Sequence, residues 1–217
     1  TNLNDSGPGS LRRAMITANA QPGPDEIHFN GLTGTINLTS GALRVTDPKG
    51  LSIVGPGRDD LTVDARGLSR VFRIKTGELS ISGLTLTNGQ APTDEAGGAI
   101  SLACESVTGA PQGSLVLTDS TVSGSVADIG GGVGHNCAGP GGPANVSIER
   151  SNLTGNIASG WRGGSAVGVA PEFEFDTTIE ITDSQISGNA GDAVALDSGN
   201  NNGGNLTARI ARSSIEN

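Results

Sequence analysis

Leu79–Gly89 reads LSISGLTLTNG, and the pattern returns three times without a gap: LVLTDSTVSGS at Leu115–Ser125, VSIERSNLTGN at Val146–Asn156 and IEITDSQISGN at Ile179–Asn189. Each copy has an apolar residue at its third position (Ile81, Leu117, Ile148, Ile181) and another five positions later (Leu86, Val122, Leu153, Ile186). Ile210 and Ile215 repeat the pair once more, and Ile53 precedes Ile81 by 28 residues. Alternation with period two marks strands. A polar residue or glycine (Gly83, Asp119, Arg150, Asp183) divides each copy into two of them. A third strand follows each pair, at Gly97-Gly-Ala-Ile, Gly130-Gly-Gly-Val, Gly164-Ser-Ala-Val and Gly191-Asp-Ala-Val.

Three short strands joined by bends make one triangular coil. Parallel crossovers are right-handed almost without exception. The expected fold is therefore all-β, a right-handed single-stranded parallel β-helix. Helical repeats of similar length are excluded by the density of glycine and β-branched residues in each unit. Asn88-Gly89, Gly124-Ser125, Gly155-Asn156 and Gly188-Asn189 fall at one place in the coil, where residues tolerant of positive φ suit a bend. Asn156 and Asn189 are expected to stack as an amide ladder.

The first residues follow a different period. Ser10 is placed as an N-cap, and Leu11, Ala14, Met15 and Ala18 recur at helical spacing until Asn19 and Pro22 end the pattern. A one-sided helix of this length suits the open apolar end of a solenoid. Residues 1–26 are thus expected to form a cap with a short α-helix. Residues 27–217 are expected to form the coils and to continue beyond Asn217, since Ile215-Glu-Asn217 stops in mid-turn with no capping pattern.

Composition agrees with a narrow core. Of 217 residues, 35 are glycine and only 2% are aromatic, with no tyrosine, so Val, Ile and Leu must fill the interior. The net charge of −9 argues against a nucleic-acid partner, because an acidic chain cannot neutralise a phosphate backbone. No run approaches the length of a transmembrane segment, and none is expected.

Gly9-Ser-Leu-Arg-Arg-Ala14, then Ala18-Asn-Ala20 and Pro24-Asp-Glu-Ile27, resemble the cap of bacterial CSLREA-type β-helix surface proteins, with Gly9 in place of the Cys and Arg13 in place of the Glu. The coils at Leu84-Thr-Leu-Thr-Asn-Gly89 and Gly97-Gly-Ala-Ile100 are similar to repeats of polymorphic outer-membrane proteins. The resemblance spans nearly the whole chain. It implies a pectin-lyase-like fold and a secreted or cell-surface bacterial location, and it says little about activity.

The same fold serves polysaccharide lyases and glycoside hydrolases, so chemistry has to be sought in a site. Arg73-Ile-Lys75, Gly134-His135 and Gly191-Asp192 resemble elements of polygalacturonase-like glycosidases, but they occur in reverse order, and Gly191 stands where an acid is needed. No catalytic set is expected. Asp59, Asp60 and Asp64 read as a solvated turn. Glu95, Asp128, Arg162 and Asn189 share a column in the aligned third strands; stacked carboxylates suit Ca²⁺, but Arg162 beside Asp128 favours an ion-pair ladder. His28 and His135 have no second ligand at zinc spacing. No metal site and no cofactor are indicated.

Positions flanking the inward residue of the second strand read Thr85, Thr121, Asn152, Gln185, Ser214 on one side and Thr87, Ser123, Thr154, Ser187, Glu216 on the other. That face is either a solvated sheet or a surface meeting polysaccharide or a surface protein. Its candidate ligand residues are Thr85, Thr87, Thr121 and Ser123. Trp161, alone in the loop Ile157–Gly163, is expected to pack over a corner, with a sugar contact as its second reading. The aligned third strands also place Cys104 over Cys137, which predicts a disulfide in an oxidising compartment, or two stacked thiols in a reducing one. The functional expectation is a non-enzymatic adhesin, stalk or scaffold, with a carbohydrate-active enzyme as the alternative.

Overall fold

The structure, a computed structural model, describes residues 2–103, 113–137, 144–160, 163–171, 176–197 and 205–216, with the backbone alone at Asn136, Cys137 and Pro171. Three parallel sheets run along the molecule. The first has seven strands: Asp25–His28, Leu51–Val54, Glu78–Ser82, Ser114–Thr118, Ala144–Glu149, Thr177–Thr182 and Leu206–Ala211. The second also has seven: Gly34–Asn37, Leu61–Asp64, Thr85–Thr87, Thr121–Ser123, Asn152–Thr154, Gln185–Ser187 and Ser214–Glu216. The third has six: Leu43–Val45, Phe72–Ile74, Ile100–Leu102, Val133–Cys137, Val167–Pro171 and Val194–Leu196. Every strand pairs with its counterpart one coil away, so the fold is the parallel β-helix that the repeat predicts.

The inward columns are those of the sequence alignment. Leu117 lies opposite Ile81 and Ile148, and Ile148 opposite Ile181. All four are buried, as are Leu86, Val122, Leu153 and Ile186 in the second sheet. Strand alternation turns one side chain in every two inward, and β-branched residues of similar volume then stack coil on coil.

Between the first and second sheets each coil turns through one left-handed residue: Gly83 (φ 63°), Asp119 (48°), Arg150 (47°), Asp183 (50°) and Arg212 (50°). The residue after this corner is a serine in four successive coils, and its role was not visible in the sequence pattern. Ser120 N–H donates to Ser151 Oγ (3.2 Å), Ser151 N–H to Ser184 Oγ (3.1 Å) and Ser184 N–H to Ser213 Oγ (3.1 Å). Each hydroxyl in turn donates to the carbonyl two residues back, at 2.7–3.0 Å. The ladder satisfies backbone groups that a bend would otherwise leave unpaired inside the stack.

The expected amide ladder forms at the next bend. Ser125 N–H and Asn156 N–H donate to Asn156 Oδ1 (3.1 Å) and Asn189 Oδ1 (2.9 Å), and the two amides join at 3.1 Å. Asn189 therefore belongs with Asn156 rather than in a column with Glu95 and Asp128. Ile157 pairs with Ala190, yet residues 158–163 separate Ile157 from Gly164 while Ala190 leads directly into Gly191, so the last coil lacks this loop and counting back from Gly191 lands on the bend residue Asn189.

Helix α1, Leu11–Ala18, closes the first coil, with Ser10 Oγ accepting from Arg13 N–H and Leu11, Met15 and Ala18 buried. Asp5 ties this cap to the coil beneath. Its carboxylate takes both Arg12 Nε and Nη2 (3.0 and 2.7 Å) and the N–H and hydroxyl of Thr39 (both 3.0 Å). Arg12 continues to the carbonyls of Gly41 and Ala42. Burial opposes ionisation of Asp5, but the hydrogen bonds from Arg12, Ser40 and Thr39 outweigh it and hold its pKa at about 2. A carboxyl depressed in the folded state stabilises fully above its unfolded pKa and loses that contribution as pH falls toward the folded one. The cap clamp is thus expected to be intact at neutral pH and to lose about 2 kcal/mol as the pH falls from the unfolded value of 3.8 toward 2. Acid titration of the melting temperature, compared with Asp5→Asn, checks this: the variant should be less stable at neutral pH and show less acid sensitivity in that window.

Candidate functional site

The outward face of the second sheet is built by the same alternation that buries its centre. Thr35, Thr62, Thr85 and Thr121 lie opposite one another in four successive coils, continued by Asn152, Gln185 and Ser214. The parallel column reads Asn37, Asp64, Thr87, Ser123, Thr154, Ser187 and Glu216. Thr85 with Thr121, and Thr87 with Ser123, are therefore direct neighbours. Thr35 and Thr62 lengthen the threonine column beyond the sequence alignment, which began at Leu79.

Not all of these hydroxyls are available to a ligand. Thr85 Oγ1 donates to Arg58 O (2.7 Å), Thr87 Oγ1 to Ser123 O (3.2 Å), and Ser123 Oγ to Thr87 Oγ1 (3.1 Å). Three of the four candidate hydroxyls thus bond within the protein. Further along the strip, the side chains of Thr121, Asn152, Gln185 and Ser214 make no such bond among the described residues, and Gln185 and Ser214 are exposed. The open part of the face lies toward the later coils. Trp161 lies outside the described residues.

Beside that open part runs a ladder of charge on the left-handed corners. Arg150 grips Asp119 through Nε and Nη2, both at 2.9 Å, and Arg212 grips Asp183 at 2.7 and 2.6 Å. Arg58, from the turn after Gly55-Pro-Gly57, reaches the carbonyls of Ser120 (3.4 Å) and Arg150 (2.6 Å) and stands 4.0 Å from Asp119. Hydrogen bonding from Arg150 holds the Asp119 carboxyl below its ordinary range, and that from Arg212 does the same to Asp183. These pairs are exposed and salt-screened, so their contribution is geometric order more than stability. Together with the open amides they border a groove of about 740 Å³ that includes Arg58, Asp119, Arg150, Asn152, Gln185 and Arg212. The signal in the sequence is the alternation Asp, Arg, Asp, Arg at one offset of the repeat; Arg58 had none, because it comes from a turn outside the repeat.

The other sequence candidates are dispersed. Arg73 lies on the outward side of the third sheet, whereas His135 is in its inward column between Leu102 and Val169 and is 2% exposed. Burial drives the His135 pKa down, against the Leu102 carbonyl beside its ring. The two fragments therefore face opposite sides of one sheet. Asp64 accepts Arg66 N–H (2.7 Å) and Asn88 Nδ2 (2.9 Å), which accounts for it as part of a turn. Glu95 pairs with buried Arg70 (2.7 Å), and Asp128 accepts Ser159 Oγ (2.7 Å) and the Asp94 N–H, so both acids are engaged by the protein itself. Arg162 lies outside the described residues. His28 is exposed and meets Glu26. Val133 opposite Ile100 and His135 opposite Leu102 give the register that the cysteine prediction assumed, but Cys104 and the Cys137 side chain lie outside the described residues.

No helix among the described residues is long and apolar enough to cross a membrane. Comparison with family models, with curated proteins and with solved structures finds no match to this chain.

Proposed function

We propose that the chain is a non-enzymatic surface module, a rigid β-helical scaffold or adhesin segment whose strip over the later coils binds a neutral glycan. The observation that carries this reading is the open amide and hydroxyl column Asn152, Gln185 and Ser214 beside the paired Asp119–Arg150 and Asp183–Arg212 ladder. Each amide offers a donor and an acceptor in one plane, as vicinal sugar hydroxyls require. The corner arginines Arg150 and Arg212 are each matched by an acid, which leaves Arg58 as the single excess charge of the groove, too little to favour a polyanion. The resemblance of the cap and coils to CSLREA-type and polymorphic outer-membrane proteins supports a secreted or cell-surface bacterial setting and a pectin-lyase-like affiliation.

A glycan array tests the binding. Asn152→Ala with Gln185→Ala is expected to weaken the retained neutral glycan about tenfold or more, through loss of its paired polar groups. The interaction should change little with salt, since no ion pair to the ligand is formed. Parallel incubation with acidic and neutral polysaccharides addresses the enzyme alternative. Cleavage products at enzyme-like rates, or an array with no retained neutral glycan, would overturn the proposal.

A further inference from the structure

The outward side of the third sheet carries two arginines in register. Arg44 lies opposite Arg73, and Ser101 follows them in the same column. Parallel neighbours stand about 4.8 Å apart, so the two side chains leave the sheet side by side, and like charges placed opposite each other repel. Among the described residues no acid pairs with Arg44 or Arg73, and Arg73 Nε is buried without a partner. Glu95 is taken by Arg70 (2.7 Å), and Asp47, the nearest acid along the chain, is buried and accepts the Lys49 N–H (2.9 Å). Burial lowers the Arg70 pKa against the pull of Glu95, and the charge of Arg73 adds to that lowering, so positive charge is in excess here.

A pocket opens beside the pair. Helix α1 leaves about 330 Å³ between itself and the strand Leu43–Val45, lined by Met15, Ile16, Ala42 and Leu43 together with Arg12 and Arg44. Ile16 is 53% exposed there. Arg12 is held by Asp5 and by the carbonyls of Gly41 and Ala42. Asn19 donates to Arg44 O (2.8 Å) and accepts the Thr46 N–H (2.9 Å), so the backbone that carries Arg44 is fixed while its guanidinium stays open.

We propose that this pocket binds a small organic carboxylate. An apolar group lies against Ile16 and Ala42, and the carboxylate is gripped by Arg44 with Arg73 beside it. A guanidinium presents parallel N–H groups that match a carboxylate, and an anion between two arginines replaces their repulsion with attraction. The volume is at the small end of ligand sites, which suits a group of a few carbons rather than a polymer. The pocket lies between the cap and the third sheet, apart from the polar face of the second, so the inference does not rest on glycan binding.

The test uses the full chain in low-salt buffer, with hexanoate as the probe and hexanol, acetate and inorganic sulfate beside it. Calorimetry is expected to show saturable one-to-one binding of hexanoate, at least about tenfold tighter than that of the other three. Arg44→Gln and Arg73→Gln should each weaken hexanoate about tenfold or more. Without ligand, each should leave the melting temperature equal or higher, because a repulsion is removed, and added salt should erase any gain. Ile16→Ser should weaken hexanoate and leave the melting temperature unchanged, since the side chain is exposed. The proposal is overturned if hexanoate does not bind, if hexanol or sulfate binds as tightly, or if the arginine variants keep full affinity. A lower melting temperature for Arg44→Gln at low salt would also overturn it, by showing that the guanidinium already has a partner within the protein.

Discussion

Leu11→Asp is expected to destabilise the protein by about 3–5 kcal/mol, the cost of burying a charge with no partner. Leu11 is fully buried, on a helix that rests against the strands Asp25–His28 and Leu43–Val45. The surroundings it shares with Met15, Ile27, Ile36 and Leu43 are apolar, so a carboxylate there must either stay ionised without solvation or take up a proton. Urea and thermal unfolding measure the loss, with Leu11→Met as a control expected to cost less than about 1.5 kcal/mol. Removal of residues 1–20 should also expose the first coil and lower solubility. An unchanged melting temperature after that deletion would refute the capping role.

Ile148→Ala is expected to cost about 2–5 kcal/mol, and Ser147→Ala, on the outward side of the same strand, a small fraction of that. Ile148 is sealed between Leu117 and Ile181, so truncation leaves a cavity that the neighbouring coils cannot collapse into without breaking register. Ser147 points outward from the same strand and is half-buried, so its truncation removes little buried apolar surface. Urea denaturation of the two variants checks the ratio. Hydrogen exchange should place the local loosening in the coils next to position 148, as nearest-neighbour coupling in a solenoid requires. Equal costs at the two positions would refute the inward placement of Ile148.

The cap clamp, the groove and the ladders differ in how far the residues themselves disclosed them. Strand alternation and the recurrence of Ile81, Leu117, Ile148 and Ile181 were enough to set the coils, their register and the inward columns. Asn156 over Asn189 was legible for the same reason, since both occupy one offset of the repeat. The column of Glu95, Asp128 and Asn189 failed because the last coil lacks the loop that precedes the third strand in earlier coils, and only the pairing of Ile157 with Ala190 shows this.

The candidate face shows the same division within a single surface. That Thr85, Thr87, Thr121 and Ser123 share one side of a sheet follows from period-two geometry and needs no coordinates. That Thr85, Thr87 and Ser123 spend their hydroxyls on the protein, while Asn152, Gln185 and Ser214 remain open, depends on atoms contributed by other coils and by the turn that carries Arg58. Apolar burial is non-directional and needs only a side chain of suitable volume on the correct face, so a one-dimensional pattern determines it. A hydrogen bond is decided by a few tenths of an ångström and by angle, between groups some thirty residues apart along the chain. The sequence by itself therefore determined the parallel β-helix, its inward stacks and its helical cap, while the serine ladder, the Arg58 and Asp119–Arg150 contacts, the inward placement of His135 and the open half of the polar face were decided only when the coils were stacked.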